Sequence, residues 1–285
     1  MRLVKHIVLV VAGLAQLCGC SGAGLIDLTI PHTGYKLHKD IAYGTSARQQ
    51  LDVYVPEKPD PSKGVIVFFY GGSWQKGSKD IYRFVGQKFA SEGFVTVIAD
   101  YRLYPKAYFP DFIKDGAQAV SWVREHISQY GGAPDKIFLS GHSAGAYIAV
   151  MLTVNDDYLK AVGGNSTWIR GTIGIAGPYD FLPFTDPKIK AIFSTASDER
   201  TQPITYAAAG APPMLLLSGD SDPDVGVKNT KNLAAKLREA GSPVEVRVYP
   251  EVEHIGIILG VADGFEDKAP TLQDMLAFIR ERTKS

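Results

Sequence analysis

The sequence predicts an α/β fold: a mostly parallel central sheet with helices on both faces and one small insertion. Three observations carry that expectation. Apolar, β-branched runs alternate along the chain with stretches of helical periodicity, as when parallel strands are joined by crossover helices. Several of the runs are apolar without alternation, as strands buried on both faces are. Hydrophobic residues make up 45% and charged residues 21% of 285, a composition that builds a globular core rather than a disordered chain.

The elements follow in order. Residues 50–55 alternate, with Leu51, Val53 and Val55 apolar, and predict a half-buried strand. Residues 65–70 (VIVFFY) run apolar into Gly71-Gly72 and predict a buried strand. Residues 82–91 place Phe84, Val85, Phe89 and Ala90 on one side of a helix, and residues 94–99 (FVTVIA) form the next strand. In residues 112–130, Ile113, Ala117, Val120, Val123 and Ile127 recur at helical spacing. Residues 137–140 predict a short strand and 144–154 a helix, with further strands at 172–176 and 214–218. An amphipathic helix over 227–240 stops at Gly241, and a last strand (244–249) and helix (271–282) close the chain. The long Pro-containing stretch 177–213 is expected as a small insertion over the carboxyl edge of the sheet, where open α/β sheets bind ligands.

Composition also excludes. Lys and Arg number 30 and so do Asp and Glu; with no basic run, nothing supports nucleic-acid binding. Two cysteines, Cys18 and Cys20, leave no disulfide framework and no zinc-ribbon site.

Chemistry enters at Gly141-His142-Ser143-Ala144-Gly145, a G-x-S-x-G between a predicted strand and a predicted helix. In that context Ser143 sits on a sharp turn with its hydroxyl exposed, and the helix N-terminus faces a developing oxyanion. A serine needs a base. His6 lies in the leader, and His32 and His38 precede the expected sheet. His126 lies within a helix, and His142 in the elbow points away from the hydroxyl beside it. His254, after the last strand, stands where the chain order Ser…Asp…His requires the base. The acid belongs to the loop after strand 214–218, where Asp220, Asp222 and Asp224 are equally placed by composition.

These motifs, with Tyr70-Gly71-Gly72-Ser73-Trp74, Asp100-Tyr101-Arg102-Leu103 and Gly219-x-x-Asp222-x-x-Val225, resemble the α/β-hydrolase superfamily over residues 40–283. More closely they resemble carboxylesterases related to hormone-sensitive lipase and small bacterial feruloyl and acetyl esterases. Kynurenine formamidases share much of the pattern. The resemblance implies the α/β-hydrolase fold and Asp222 as the acid. It implies oxyanion-hole amides from Gly72, Ser73 and Ala144, and substrate-pocket walls from Trp74 and Tyr179. Tyr70 stands where the family commonly has His. The implied activity is that of a serine carboxylesterase working through an acyl-enzyme, with no metal and no organic cofactor. The alternatives are an amidase or arylformamidase using the same triad, and a lipid-anchored binding protein on a non-catalytic hydrolase scaffold. With no long apolar lid helix after the elbow, a small, short-acyl ester is the expected substrate.

The N-terminus reads as an address. Arg2 and Lys5 precede an apolar run over residues 7–17, too short for a bilayer span of roughly 20 residues but suited to a secretory signal peptide. Leu17-Cys18-Gly19-Cys20 resembles the bacterial lipobox, which implies that Cys20 becomes the lipidated first residue of a membrane-anchored lipoprotein. Ser21 after it resembles outer-membrane sorting in a Gram-negative envelope, on the periplasmic face. Cleavage near Ala23 in an ordinary secreted protein is the plainer alternative. The expected organisation is a signal peptide over 1–19, a tether over 20–40 and the hydrolase domain over 41–285.

Overall fold

Residues 33–284 are described by a computed structural model. Its strands are β1 (Tyr35–Ala42), β2 (Gln50–Pro56), β3 (Val65–Phe69), β4 (Val95–Ala99), β5 (Ile137–His142), β6 (Ile169–Ile175), β7 (Met214–Gly219) and β8 (Val244–Tyr249). They form one sheet in the order β1-β2-β4-β3-β5-β6-β7-β8. β1 pairs antiparallel with β2, and β2 antiparallel with β4; every pairing from β4 to β8 is parallel. Every residue of β3, β4, β5 and β7 is buried, which is why those segments are mostly apolar and lack a polar-apolar alternation.

The helices are α1 (Arg83–Ser91), α2 (Asp111–His126), α3 (Ala144–Val154), α4 (Asp157–Lys160), α5 (Pro187–Ile192), α6 (Lys228–Glu239), α7 (His254–Leu259) and α8 (Thr271–Thr283). α3 is apolar all round and buried from Ala144 to Thr153, packed on β5, β6 and α2. Gly116 lets α2 close on it: a Cβ there would lie 2.8 Å from Ile148 Cγ2. α6 is amphipathic and turns Leu233, Ala234 and Leu237 inward. It ends at Gly241, whose φ of +78° suits glycine.

The tether expected over 20–40 is corrected at its end. Tyr35–Ala42 is an edge strand, in register from Tyr35 opposite Pro56 to Ala42 opposite Gln50, so His38 lies inside the sheet rather than before it. A bulge between His38 and Ile41, with Asp40 at φ 57°, breaks the alternation that would have announced the strand. The expected signal peptide and Cys20 lie outside the described residues. Among those described, no helix is long and apolar enough to cross a membrane.

Stretch 177–213 holds only α5 and two 3-10 turns, Asp198–Thr201 and Pro203–Tyr206. It lies between β6 and β7, over the carboxyl edge where β5, β7 and β8 also end.

Candidate active site

β5 runs straight into Ser143, whose φ of 55° and ψ of −122° lie outside the regions an L-residue prefers. Such strain costs on the order of 1–3 kcal/mol and persists only where the surroundings impose it. They do so here by hydrogen bonds: the Ser143 N–H donates to Ile175 O at 2.8 Å, and the Tyr147 N–H to Ser143 O at 3.1 Å. Crowding fixes the flanking glycine: a Cβ on Gly145 would sit 2.0 Å from Phe69 O. Ser143 stays partly exposed, and the first turn of α3 begins at Ala144.

The register of β7 against β8 sets Gly219 opposite Tyr249, which brings the two following loops together. There Asp222 Oδ2 lies 2.7 Å from His254 Nδ1. Asp222 Oδ1 accepts from the N–H groups of Asp224 (2.9 Å) and Val225 (2.8 Å). Burial acts to raise the Asp222 pKa, but the bonds from His254 and from Val225 and Asp224 outweigh it and hold the carboxyl below its ordinary value. With Nδ1 committed to the carboxylate, Nε2 is the His254 nitrogen that can exchange a proton. Among the described residues, no hydrogen bond joins Ser143 Oγ to His254, a contact that is often loose in unliganded hydrolases.

The structure thus separates the three aspartates that spacing left open. Asp220 instead accepts from the Glu251 N–H at 2.7 Å and braces the His254 loop. Asp224 is exposed and contributes its N–H to the turn. Donor atoms of Asp222, Asp224 and His254 fall within 4.8 Å of one another. Both Asp222 oxygens are already spent on the imidazole and the turn, so the group orients a histidine rather than forming a cation site.

After β3 the chain enters a strained loop: φ is 137° at Gly72, 53° at Ser73, 58° at Trp74 and 104° at Gly77. Gln75 and Lys76 N–H groups close it onto Gly72 O at 3.0 and 3.1 Å. A Cβ on Gly71 would lie 3.0 Å from Ser143 Cβ, so this backbone passes directly beside Ser143. The Gly71 N–H is spent on Tyr82 Oη. Tyr70, at the position where the resemblance expects His, is pinned from two sides. Its ring stacks on Tyr101 with centroids 4.6 Å apart, and its carbonyl accepts from Tyr101 Oη at 2.8 Å. Its hydroxyl is bound by Arg48, whose guanidinium also reaches Gly77 O (3.0 Å), Asp100 Oδ1 (3.3 Å) and Tyr101 O (2.9 Å). Arg48 therefore staples both ends of the loop, which sequence reasoning did not find; the bulk of a tyrosine at residue 70 was its only trace.

Trp74 lies in an aromatic box. It stacks on Phe112 (5.7 Å) and Phe181 (6.2 Å) and meets Tyr147 (5.1 Å) and Phe193 (4.8 Å) edge-on. Tyr147 stands one turn into α3 from Ser143, and Phe181 and Phe193 come from the insertion. Those two were missed from sequence; three phenylalanines in the insertion, Phe181, Phe184 and Phe193, were the only trace. Tyr179, expected as a pocket wall, is corrected. It is fully buried in a separate cluster with Ala146, Val150, Leu216 and Leu233. Its turn is drawn inward by Asn229 Oδ1, which accepts from the N–H groups of Tyr179 (2.9 Å) and Asp180 (2.8 Å).

Comparison with known proteins agrees with this fold. Residues 51–237 match the BD-FAE family model. The isoprenylcysteine alpha-carbonyl methylesterase of Arabidopsis thaliana is 28% identical over 246 residues, 79% of this chain and 58% of that protein. Esterase LipC of Mycobacterium tuberculosis is 28% identical over 277 residues, 89% of this chain and 67% of that one. The chain thus spans little more than half the length of the plant relatives it matches, 55% to 58%. A thermophilic esterase of Thermogutta terrifontis, solved with propionate bound, superposes with a TM-score of 0.69 at 26% identity, covering 88% of this chain and 94% of that one. The chain has the α/β-hydrolase fold and belongs to the BD-FAE family.

Proposed function

We propose that the protein is a serine carboxylesterase that hydrolyses short-acyl esters through an acyl-enzyme on Ser143. The observation that carries this reading is the Asp222–His254 hydrogen bond at the sheet edge where the strained Ser143 turn ends β5. His254 Nε2 takes the Ser143 proton as the oxygen attacks the ester carbonyl. The N–H groups of Gly72, Ser73 and Ala144 receive the oxyanion. His254 then returns the proton to the leaving alcohol, and water repeats the two steps on the acyl-enzyme. Asp222, ionised below its ordinary pKa, holds the tautomer and stabilises the imidazolium. The esterases among the relatives support this class of reaction, and the aromatic box beside Trp74 supports a small acyl group.

A fluorophosphonate probe tests it. The probe labels the parent chain at Ser143 and not Ser143→Ala, which loses nearly all turnover of p-nitrophenyl acetate. An unlabelled parent overturns the reading and leaves a binding protein on a hydrolase scaffold.

The lipobox further supports anchoring to a bacterial envelope through Cys20. Cys20→Ser should abolish palmitate incorporation and release the protein from the membrane fraction, with esterase activity retained by the folded domain. Unchanged membrane retention would reject the anchor.

A further inference from the structure

We propose that His142, the residue before the nucleophile, is a positioning residue that, through Tyr82, ties the backbone of the catalytic histidine to the loop carrying the oxyanion amides. This rests on the esterase reading of the same site. His142 is almost wholly buried and takes no part in the proton transfers above. Both of its ring nitrogens are nevertheless engaged. Nε2 lies 3.0 Å from His254 O, and Nδ1 lies 2.9 Å from Tyr82 Oη. Tyr82 Oη in turn accepts from the Gly71 N–H at 3.3 Å. One unbroken chain therefore runs from the loop after β3, through the elbow after β5, to the loop after β8.

Its polarity is fixed at every link. A carbonyl only accepts, so Nε2 carries the hydrogen toward His254 O. Nδ1 is then the acceptor, Tyr82 donates to it, and the Tyr82 oxygen remains free to accept from Gly71. Protonating Nδ1 would strip the buried Tyr82 O–H of its acceptor, a loss that low dielectric makes costly. Burial, with His254 nearby, lowers the His142 pKa to about 3, which keeps the ring in the one state the chain accepts. The rings of His142 and His254 lie 4.7 Å apart, so the chain acts within one residue's width of the base. An apolar side chain of similar shape would fill the same space without holding either loop.

The two halves of the chain can be cut separately. His142→Asn keeps an acceptor near the Nδ1 position but does not reach His254 O. His142→Gln reaches His254 O but offers Tyr82 no acceptor at Nδ1. Tyr82→Phe removes the link to Gly71. The readouts are kcat and KM on p-nitrophenyl acetate per fluorophosphonate-titrated site, and the Ki of an alkyl boronic acid, whose tetrahedral adduct needs both base and amides in place. His142→Asn and Tyr82→Phe should each lower kcat about ten- to a hundredfold with KM within about twofold, and should weaken the boronate by a similar factor. The double variant should be no worse than the more damaging single, because both cut one chain. His142→Gln, which cuts the same Tyr82 link, should match Tyr82→Phe, and His126→Asn, on the outer face of α2, should match the parent. The proposal is overturned if folded variants keep kcat per titrated site within twofold, if the two losses multiply, or if only thermal stability falls. A labelled parent with unaffected variants rejects this role alone; an unlabelled parent rejects the esterase reading and this role together.

Discussion

At the scale of single residues, the site turns on which carboxylate reaches His254. Asp220, Asp222 and Asp224 are alternate residues of one loop, so spacing and composition cannot rank them. The structure can, because side-chain direction in a loop follows from its hydrogen bonds. Asp222 closes an Asx turn on its own backbone and points its second oxygen at His254, while Asp220 turns to the Glu251 N–H. Asp222→Asn should therefore cost far more turnover than either neighbour's substitution. An amide favours the wrong imidazole tautomer, and losses reach about 10⁴-fold in the best-studied triad. Circular dichroism would confirm the fold while kcat is compared across Asp220→Asn, Asp222→Asn and Asp224→Asn; a larger loss at 220 or 224 refutes the assignment. Ser143 and His254 were legible in the sequence because a strand–turn–helix motif and chain order single them out. Tyr179 was misread because the direction of a residue after a strand has no period to betray it; Asn229, fifty residues on, decides it.

At the scale of elements, legibility follows pattern. Strands buried on both faces and helices with one apolar face announced themselves. β1 did not, because its bulge at Asp40 shifts the alternation and its edge position leaves it half exposed. Nor did α7, six residues beginning at His254, which is too short to show a helical period. The insertion was legible as an interruption but not as a wall, since its aromatic residues act through tertiary contacts with Trp74 and Tyr147. Those contacts give the insertion a measurable task. Phe181 is half-buried and stacks on Trp74, closing one side of the box. Phe181→Ala should move the best acyl chain from acetyl–butyryl toward hexanoyl or longer. Each methylene newly buried contributes about 0.8 kcal/mol, roughly fourfold in kcat/KM. Measuring kcat/KM from acetyl to decanoyl esters below their micelle thresholds checks this, and an unchanged optimum places the acyl pocket elsewhere.

At the scale of the whole molecule, the buried histidine of the elbow couples pH to folding. His142 faces Tyr82, His254 and Asp222, and in the folded chain its pKa is lowered, chiefly by burial and then by His254, from 6.5 to about 3. The unfolded chain therefore takes up a proton as pH falls through 6.5, whereas the folded chain declines it until about pH 3. Above pH 6.5 both states hold a neutral ring, and this group makes no difference to stability. Below it the unfolded state binds more protons, so stability falls toward pH 3 with a limiting slope of about 1.4 kcal/mol per pH unit. Asp222, held below its ordinary value, adds to the loss only nearer pH 3.8 and below. Asp52 and Asp100 oppose it, because burial raises both and acid favours the folded state that protonates them first. Those three carboxyl groups are unchanged when only His142 is replaced, so a difference measurement isolates the ring. Urea unfolding of the parent and of His142→Gln at pH 7.5, 6.5, 5.5 and 4.5 supplies it. The variant should be the less stable at pH 7.5, having lost the Tyr82 link. Its deficit should then shrink by up to about 1.4 kcal/mol per pH unit below pH 6.5, since a glutamine takes up no proton in either state. A deficit that stays constant from pH 7.5 to 4.5 would mean that His142 protonates equally in both states, and that the elbow ring is not held neutral by the fold.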